Sequence, residues 1–274
     1  MTVLKYPGSK EKIADKIISL FPDDYRKMTY LEPFFGSGTV FFRKAPSLIE
    51  TINDLNEDIY NLFFQIRENG DELARLIEFT PWSRQEYEES YNRDSTDLEN
   101  ARRFFIRCWM SIGSTNYTHP GWRHNISKEA GNISRFNKLP ELIKKLCIRL
   151  QPKHGNNVQI ENRSAFILIE KYNYENVLMY LDPPYLLSTR KNKKQYVYEM
   201  TEDDHIKLCE LINKSKAKVI LSGYENEIYE THLKIFKKTF VSTYDQKGNL
   251  RKEILWHNYA ITNDLFDNNI EEQE

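Results

Sequence analysis

Asp182 is the residue in this chain best placed for chemistry. An unbroken apolar run, Val177-Leu178-Met179-Tyr180-Leu181, leads straight into Asp182-Pro183-Pro184-Tyr185. A short apolar run bounded by breakers predicts a strand buried on both faces. The two prolines fix φ and remove two backbone donors, so the backbone around Asp182 is stiff. In open α/β sheets, ligands bind beyond the carboxyl ends of parallel strands. An acid and an aromatic ring are thus held where such proteins bind ligands; the plain alternative is an Asp-capped turn with a packed Tyr. A second candidate lies in Phe34-Phe35-Gly36-Ser37-Gly38, where Gly36 and Gly38 let backbone approach a ligand closely. It is not a GxGxxG turn, the chain has no Gly-Lys-Ser/Thr phosphate loop, and Glu32 just before it would repel a pyrophosphate. A nucleoside without phosphate suits such a turn better. Asp54 stands at the end of the next predicted strand, where dinucleotide folds place the carboxylate that takes ribose hydroxyls. Capping of the following helix by Asp54 or Asn53 is the structural alternative. Cys108, Cys147 and Cys209 are odd in number, far apart and without metal-ligand spacing. They read as reduced thiols, with no disulfide and no metal site.

These residues need elements to hold them. Glu11–Phe21 has helical spacing at Ile13, Ile17, Ile18 and Leu20. Residues 29–35 predict a strand running into the glycine turn and a helix over Val40–Arg43. Leu48–Ile52 predicts a second strand, and Glu57–Arg67 a helix with Ile59, Leu62, Phe63 and Ile66 on one face. This alternation predicts a right-handed parallel βαβ unit. Further on, Val158–Glu161, Ala217–Ser222, Thr239–Tyr244 and Glu253–Thr262 read as strands, and Ala165–Lys171, Glu202–Asn213 and Glu225–His232 as helices. Asn263–Glu274 is acidic and weakly apolar, a frayed tail in expectation. The start of the chain lacks a signal-peptide pattern, and no apolar segment reaches membrane-spanning length. A soluble, cytoplasmic protein is expected.

The middle differs. Residues 70–155 carry helical patterns, notably Ala101–Ile112 and Leu139–Leu150, and few strand signals. Between them, Gly113–Asn137 is rich in Gly, Ser, Thr, Asn and aromatics, and a loop of that length reads as a functional surface. Residues 101–154 hold eleven Lys and Arg against two Asp and Glu, in a chain of net charge −1. Such a local excess points to a polyanionic partner.

In order and spacing, Lys5-Tyr6-Pro7-Gly8-Ser9-Lys10, Phe34-Phe35-Gly36-Ser37-Gly38, Asn53-Asp54-Leu55-Asn56 and Asp182-Pro183-Pro184-Tyr185 resemble the motifs of the Dam-type, D12-class (alpha group) adenine-N6 DNA methyltransferases. The resemblance covers nearly the whole chain. It implies a Rossmann-like α/β methyltransferase sheet with helices on both faces, formed by residues 1–69 and 156–274, and a mostly helical target-recognition domain inserted over 70–155. It also implies S-adenosylmethionine as methyl donor, no metal, double-stranded DNA as partner, a monomer, and possible company of a cognate restriction endonuclease. The donor site by this resemblance comprises Tyr6, Lys10, Glu32, Phe34, Gly36, Gly38, Asp54, Ser164 and Asp182. Tyr6 stands where Trp is common and Ser9 where Gly is common. Relatives often carry an acid near Ser164, which here can hydrogen-bond or simply cap a helix. Without the resemblance, Lys10 would be a solvated helix-start residue and Tyr6 a packed ring.

The implied chemistry rests on Asp182, Pro183, Pro184 and Tyr185. The adenine amine is a poor nucleophile because its lone pair is delocalised. Asp182 and the Pro183 carbonyl can accept its two N–H bonds, and Asp182 can stabilise the developing positive charge. Tyr185 can stack on the extruded base. For DNA, Arg123 is the leading candidate for a guanine or phosphate contact, the alternative being a solvated Arg beside a core Trp122. Asn116, Tyr117 and Asn125 are candidates for base or intercalating contacts. Lys191, Lys193 and Lys194 are candidates for the DNA side of the catalytic turn, or belong to a solvated loop. Two other functions stay in view: methylation of RNA or a protein glutamine, and DNA binding by an inactive methyltransferase fold. Glutamine methylation goes with Asn rather than Asp before Pro-Pro-Tyr.

Overall fold

The computed structural model describes residues 4–93, 95–113, 119–124, 131–190, 196–244 and 250–261. In chain order the helices and strands are α1 (Ala14–Ser19), β1 (Thr29–Glu32), α2 (Thr39–Arg43), β2 (Ile49–Asn53), α3 (Glu57–Glu78), α4 (Arg84–Glu89), α5 (Asp97–Met110), α6 (Asn132–Phe136), α7 (Leu139–Leu150), β3 (Val158–Glu161), α8 (Ala165–Lys171), β4 (Val177–Leu181), α9 (Glu202–Asn213), β5 (Lys218–Gly223), α10 (Glu227–His232), β6 (Lys237–Tyr244) and β7 (Leu250–His257).

The apolar run before Asp182 is apolar throughout because β4 is a central strand. It pairs in parallel with β1 on one side and β5 on the other, and every residue of it is buried. The sheet order is β3-β2-β1-β4-β5-β7-β6, with β7 antiparallel to both β5 and β6. From β1 the chain steps outward through β2 to β3, then returns to β4 and builds the other half. The direction of winding therefore reverses between β1 and β4, the crevice where such sheets bind ligands. Apolar residues fill both faces. Tyr30, Phe41, Ile59, Leu62 and Phe63 belong to one core; Leu31, Leu168, Ile169, Leu208, Ile212 and Trp256 belong to the other.

The β1 strand stops at Glu32, short of the expected Phe35, because Pro33 has no N–H to continue the ladder. Phe35 N–H turns aside to donate to the carbonyl of Asn53 at 2.9 Å. Gly38 then opens α2 at φ +64°, and a Cβ there would lie 2.4 Å from Cζ of Phe35. Close packing as well as backbone conformation therefore requires this glycine.

The helix expected over 57–67 continues to Glu78. It carries a non-helical Asn69 at φ −130°, ψ 32°, beside the expected domain boundary. Just past this kink α7 packs closely on α3: a Cβ on Gly70 would lie 2.7 Å from Sγ of Cys147. A buried cluster ties α7 to the sheet as well. Glu50 of β2 takes Lys44 and, at 2.8 Å, Nη2 of Arg149. Two short helices lie outside the expected pattern. In α4, Tyr87 is the one buried residue, too little for an apolar period. The expected loop over 113–137 ends in α6, and Ser111 bridges antiparallel to Trp122 within it. All three cysteines are buried, and none is joined in a disulfide. Among the described residues no helix is long and apolar enough to cross a membrane. The expected tail over 263–274 lies outside them.

Candidate active site

Asp182 leaves β4 at its carboxyl end, and its carboxylate meets Lys10. Nζ of Lys10 is 2.7 Å from Oδ1 of Asp182 and 3.3 Å from Oε1 of Glu253, and donates to the carbonyl of Gly8 at 3.0 Å. An ammonium has three N–H donors, and all three are engaged within the protein. Lys10 is only 6% exposed, so a solvated helix-start residue is not what the fold makes of it. Burial acts to lower Lys10, but the Asp182 and Glu253 carboxylates overcome it and hold the ammonium above its ordinary value. For Asp182 burial wins. It raises the carboxyl to about 6 against the opposing effects of Lys10 and the Tyr185 hydroxyl. Asp182 is thus ionised at neutral pH and protonated in mild acid.

Tyr185 is half-buried on the far side of the same knot. Its hydroxyl donates to Oε1 of Glu253, its ring lies 4.9 Å below the Lys10 ammonium, and its edge meets Tyr224 with centroids 4.7 Å apart. An Asp-capped turn with a merely packed Tyr does not describe this arrangement.

One cavity joins Asp182 to the donor-side candidates. Tyr6, Lys10, Glu32 and Phe34 line it, and so do Gly36, Asp54, Ser164 and Pro184. Gly38, Pro183 and Tyr185 fall outside the lining. Asp54 sits at the end of β2, where Oδ2 accepts from Gly36 N–H at 2.8 Å and Oδ1 from Asn56 N–H at 2.9 Å. The carboxylate therefore braces the glycine turn. Neither Asp54 nor Asn53 caps α3; Asn56 does, accepting from Asp58 N–H. Asn53 instead ties Pro33 to Arg163 through its side-chain amide. Burial raises Asp54 to about 6, against the two backbone hydrogen bonds. Glu32 is raised further, to about 8, chiefly by burial, and accepts from the Tyr30 hydroxyl at 2.7 Å. Ser164 stands at the start of α8 without a side-chain capping bond, half-buried and facing the cavity. Tyr196 and Tyr198, in the segment expected to be a polar DNA-side loop, also line the cavity. Among the described residues, no group of three or more His, Cys, Asp or Glu side chains is arranged to hold a metal ion.

Away from this site, much of the basic excess is internally paired. Arg102 and Arg103 bind Glu99, Arg102 also binds Glu86, and Arg107 binds Asp58 at 3.0 Å. Those acids lie outside the window in which the charge was counted. Arg123 donates from Nε to the Ser111 carbonyl at 3.0 Å and from Nη2 to that of Gly113 at 3.3 Å, so part of its guanidinium holds its own turn. Trp122 is partly buried against the core. Lys5, Arg135, Lys138 and Lys145 line a second cavity with Glu11 and Glu141. Burial, followed by repulsion from Arg123 and Arg135, lowers Lys5 to about 8. Asn116, Tyr117, Asn125, Lys191, Lys193 and Lys194 lie outside the described residues.

Glu253 is the site residue that sequence reasoning missed. It appeared only as the first residue of a predicted strand. An acid opening the apolar run Ile254-Leu255-Trp256 was the available signal, and nothing local told a buried acid from a solvated one.

Residues 6–253 match the family described as D12 class N6 adenine-specific DNA methyltransferase. The type II methyltransferase M1.LlaDCHI of Lactococcus lactis subsp. cremoris is 27% identical over 251 residues, covering 85% of this chain and 84% of that protein. The type II methyltransferase M.FokI of Planomicrobium okeanokoites is 29% identical over 205 residues, 68% of this chain but only 29% of the much longer relative. Among solved structures, the rRNA methyltransferase aviRa from Streptomyces viridochromogenes aligns over 94% of this chain and 90% of its own, with a TM-score of 0.44 and 11% identity, too slight a likeness to carry weight. The family match spans nearly the whole chain. The chain belongs to the D12 class of N6 adenine-specific DNA methyltransferases, enzymes of DNA adenine methylation for which S-adenosylmethionine use is implied.

Proposed function

We propose that this D12-class enzyme uses Asp182 to activate the N6 amine of an extruded adenine, with the methyl donor held in the cavity between Tyr6, Asp54 and Asp182. The observation that carries the proposal is the placement of Asp182. It lies at the winding reversal, fixed by Lys10 at 2.7 Å, in a cavity that Asp54 and Gly36 of the glycine turn also line. The lining fits the donor chemically. Asp54 and Asp182 suit a cationic nucleoside that lacks phosphate, and Tyr6 and Phe34 offer aromatic walls. Asp54 would take ribose hydroxyls with the lone pairs left after its two backbone bonds. Glu32, protonated at neutral pH, would donate as well as accept. Ser164 would offer a hydroxyl where relatives place an acid. When bound, S-adenosylmethionine supplies an electrophilic methyl group on sulfonium.

The chain's own residues do the rest. Lys10 fixes one oxygen of Asp182, and a carboxylate has about four acceptor sites, so Asp182 can still take an N–H of the amine. The Pro183 carbonyl takes the second, which favours a pyramidal nitrogen with a localised lone pair. The ionised Asp182 then opposes the positive charge growing on that nitrogen. Holding the amine in line with the methyl group contributes much of the rate. Extruding the base costs a few kcal/mol, and stacking on Tyr185 returns roughly 1–3 kcal/mol.

Residues 70–155 are proposed as the target-recognition part, with Lys5 and Arg135 as cations for DNA phosphate and Arg123 beside them as the guanine contact. Mutual repulsion within such a cluster is relieved when an anion enters. A monomer acting on duplex DNA, with a cognate restriction endonuclease as companion, completes the proposal. The test is sequencing of DNA from cells that express the protein, by a method that reads modified adenine. Wild type gives N6-methyladenine at one short sequence; Asp182→Ala gives none. Unmodified DNA from wild type would overturn the proposal.

A further inference from the structure

Glu253 comes from β7, far along the chain from Lys10 in the turn before α1, and is 6% exposed. It lies on β7, opposite Val241 in the β6–β7 hairpin. One oxygen, Oε1, gathers the Tyr185 hydroxyl, the Ser222 hydroxyl at 3.2 Å and the Lys10 ammonium at 3.3 Å. These donors arrive from the catalytic turn, from β5 and from the turn before α1. The antiparallel strand β7 thus supplies the common anchor of Lys10 and Tyr185, the two side chains flanking Asp182. Lys10 sits between two carboxylates, Asp182 on one side and Glu253 on the other. Were Glu253 absent, Lys10 would lose one of its two anionic partners and the Tyr185 hydroxyl its acceptor. A buried acid is expensive to desolvate and needs such partners. A hydrophobic residue at this position within β7 would fill the same place more cheaply, so the buried charge calls for a role.

We infer that Glu253 is a positioning residue for methyl transfer: it anchors the Tyr185 ring as the wall for the acceptor base and sets the Lys10 ammonium that orients the Asp182 carboxylate. This rests on the proposed role of Asp182 toward the adenine amine. The charged and titratable groups around Glu253 and Asp182 include Lys10 from the N-terminal turn, Glu32 from β1, Tyr180 from β4, Tyr185 from the catalytic turn, Tyr196 from the segment before α9 and Tyr229 from α10. The Glu253 charge adds to burial in raising Asp182, whereas Lys10 opposes both. Removing that charge while keeping the shape therefore shifts the Asp182 titration to lower pH.

The experiment compares wild type, Glu253→Gln, Glu253→Ala and Tyr185→Phe. It measures steady-state transfer of labelled methyl to unmethylated duplex DNA across pH 5 to 8, donor dissociation constants, and thermal denaturation midpoints. In Glu253→Gln the amide oxygen still accepts from Tyr185 and Ser222, so the protein stays folded. The acidic limb of kcat/KM is expected to move to lower pH, with a moderate loss of kcat at its plateau. Glu253→Ala is expected to lose kcat by on the order of 10²-fold, the effect of misplacing reacting groups by about 1 Å, with donor affinity changed far less. Tyr185→Phe, which keeps the ring and loses the anchor, is expected to fall between these two. An unmoved acidic limb in folded Glu253→Gln, or kcat within twofold of wild type in folded Glu253→Ala, overturns the inference. Absence of adenine methylation by wild type instead overturns the underlying reading of Asp182, so the two failures are told apart.

Discussion

At the scale of single residues, the account stands on the charge state of Asp182. Its folded value of about 6 exceeds the ordinary carboxylate value because burial outweighs Lys10. The ionised form is the one that accepts an N–H, so activity is full above that value. It is lost as pH falls through about 6, roughly tenfold per unit once below it. A pH profile of kcat/KM, which reports the free enzyme, checks this limb. Asp182→Asn keeps the shape and loses the charge; kcat is expected to fall by roughly 10²–10³-fold, the scale seen when one stabilising group is removed from a reacting centre. The variant should still bind the donor, measured by calorimetry, because Asp54 and the glycine turn are untouched. Asp182 and Asp54 could be placed at strand ends from the sequence because each directly follows a strand pattern, and Pro183 stops the first of them. Glu253 could not be placed in the site, because its three partners lie at positions 10, 185 and 222 and meet only when the sheet closes.

At the scale of elements, the strands and helices that position the site were readable from pattern. The bounds expected for β3, α7, α8 and α9 coincide with those found, and the apolar run of β4 is the buried strand. Their periods were clear because each packs one face, or in β4 both faces, against a core. The helix α4 gave no such signal, and α3 ran past its expected end because Leu73, Ala74 and Ile77 continue its buried face beyond Asn69. Nor could pattern show that Glu50, in the buried strand β2, holds Lys44 and Arg149. That cluster yields a stability prediction. Glu50 and the Lys44 side chain are both 0% exposed, and burial depresses Lys44 to about 8 although Glu50 opposes it. Glu50→Ala leaves two cations without their partner and is expected to cost about 3–5 kcal/mol. The shift of a urea midpoint measures it, and a cost under about 1 kcal/mol would show the cluster to be dispensable.

At the scale of the whole molecule, net charge concealed the organisation. A chain of net charge −1 carries a basic middle, yet Arg102, Arg103, Arg107 and Arg149 pair with acids from outside that window. The excess read from sequence was real in count and smaller in effect, because ion pairing ignores sequence windows. The surface that remains, around Arg135, Lys138 and Lys145, is where neutralisation is expected to matter for DNA. Arg135→Gln and Lys138→Gln should each weaken binding about equally across DNA sequences and reduce the slope of log affinity against log salt by about 1. Arg123→Gln should relax sequence choice instead. Binding titrations at several salt concentrations on matched and mismatched duplexes separate the two effects.

The most direct test of adenine activation by Asp182 is the chemical identity of the transferred methyl group. Purified wild type and Asp182→Ala are incubated with labelled S-adenosylmethionine and genomic DNA free of adenine methylation, and the DNA is digested to nucleosides. The account predicts that all label from wild type elutes as N6-methyldeoxyadenosine and that Asp182→Ala, folded by circular dichroism, transfers none. Label in a cytosine nucleoside, or full transfer by Asp182→Ala, would contradict it.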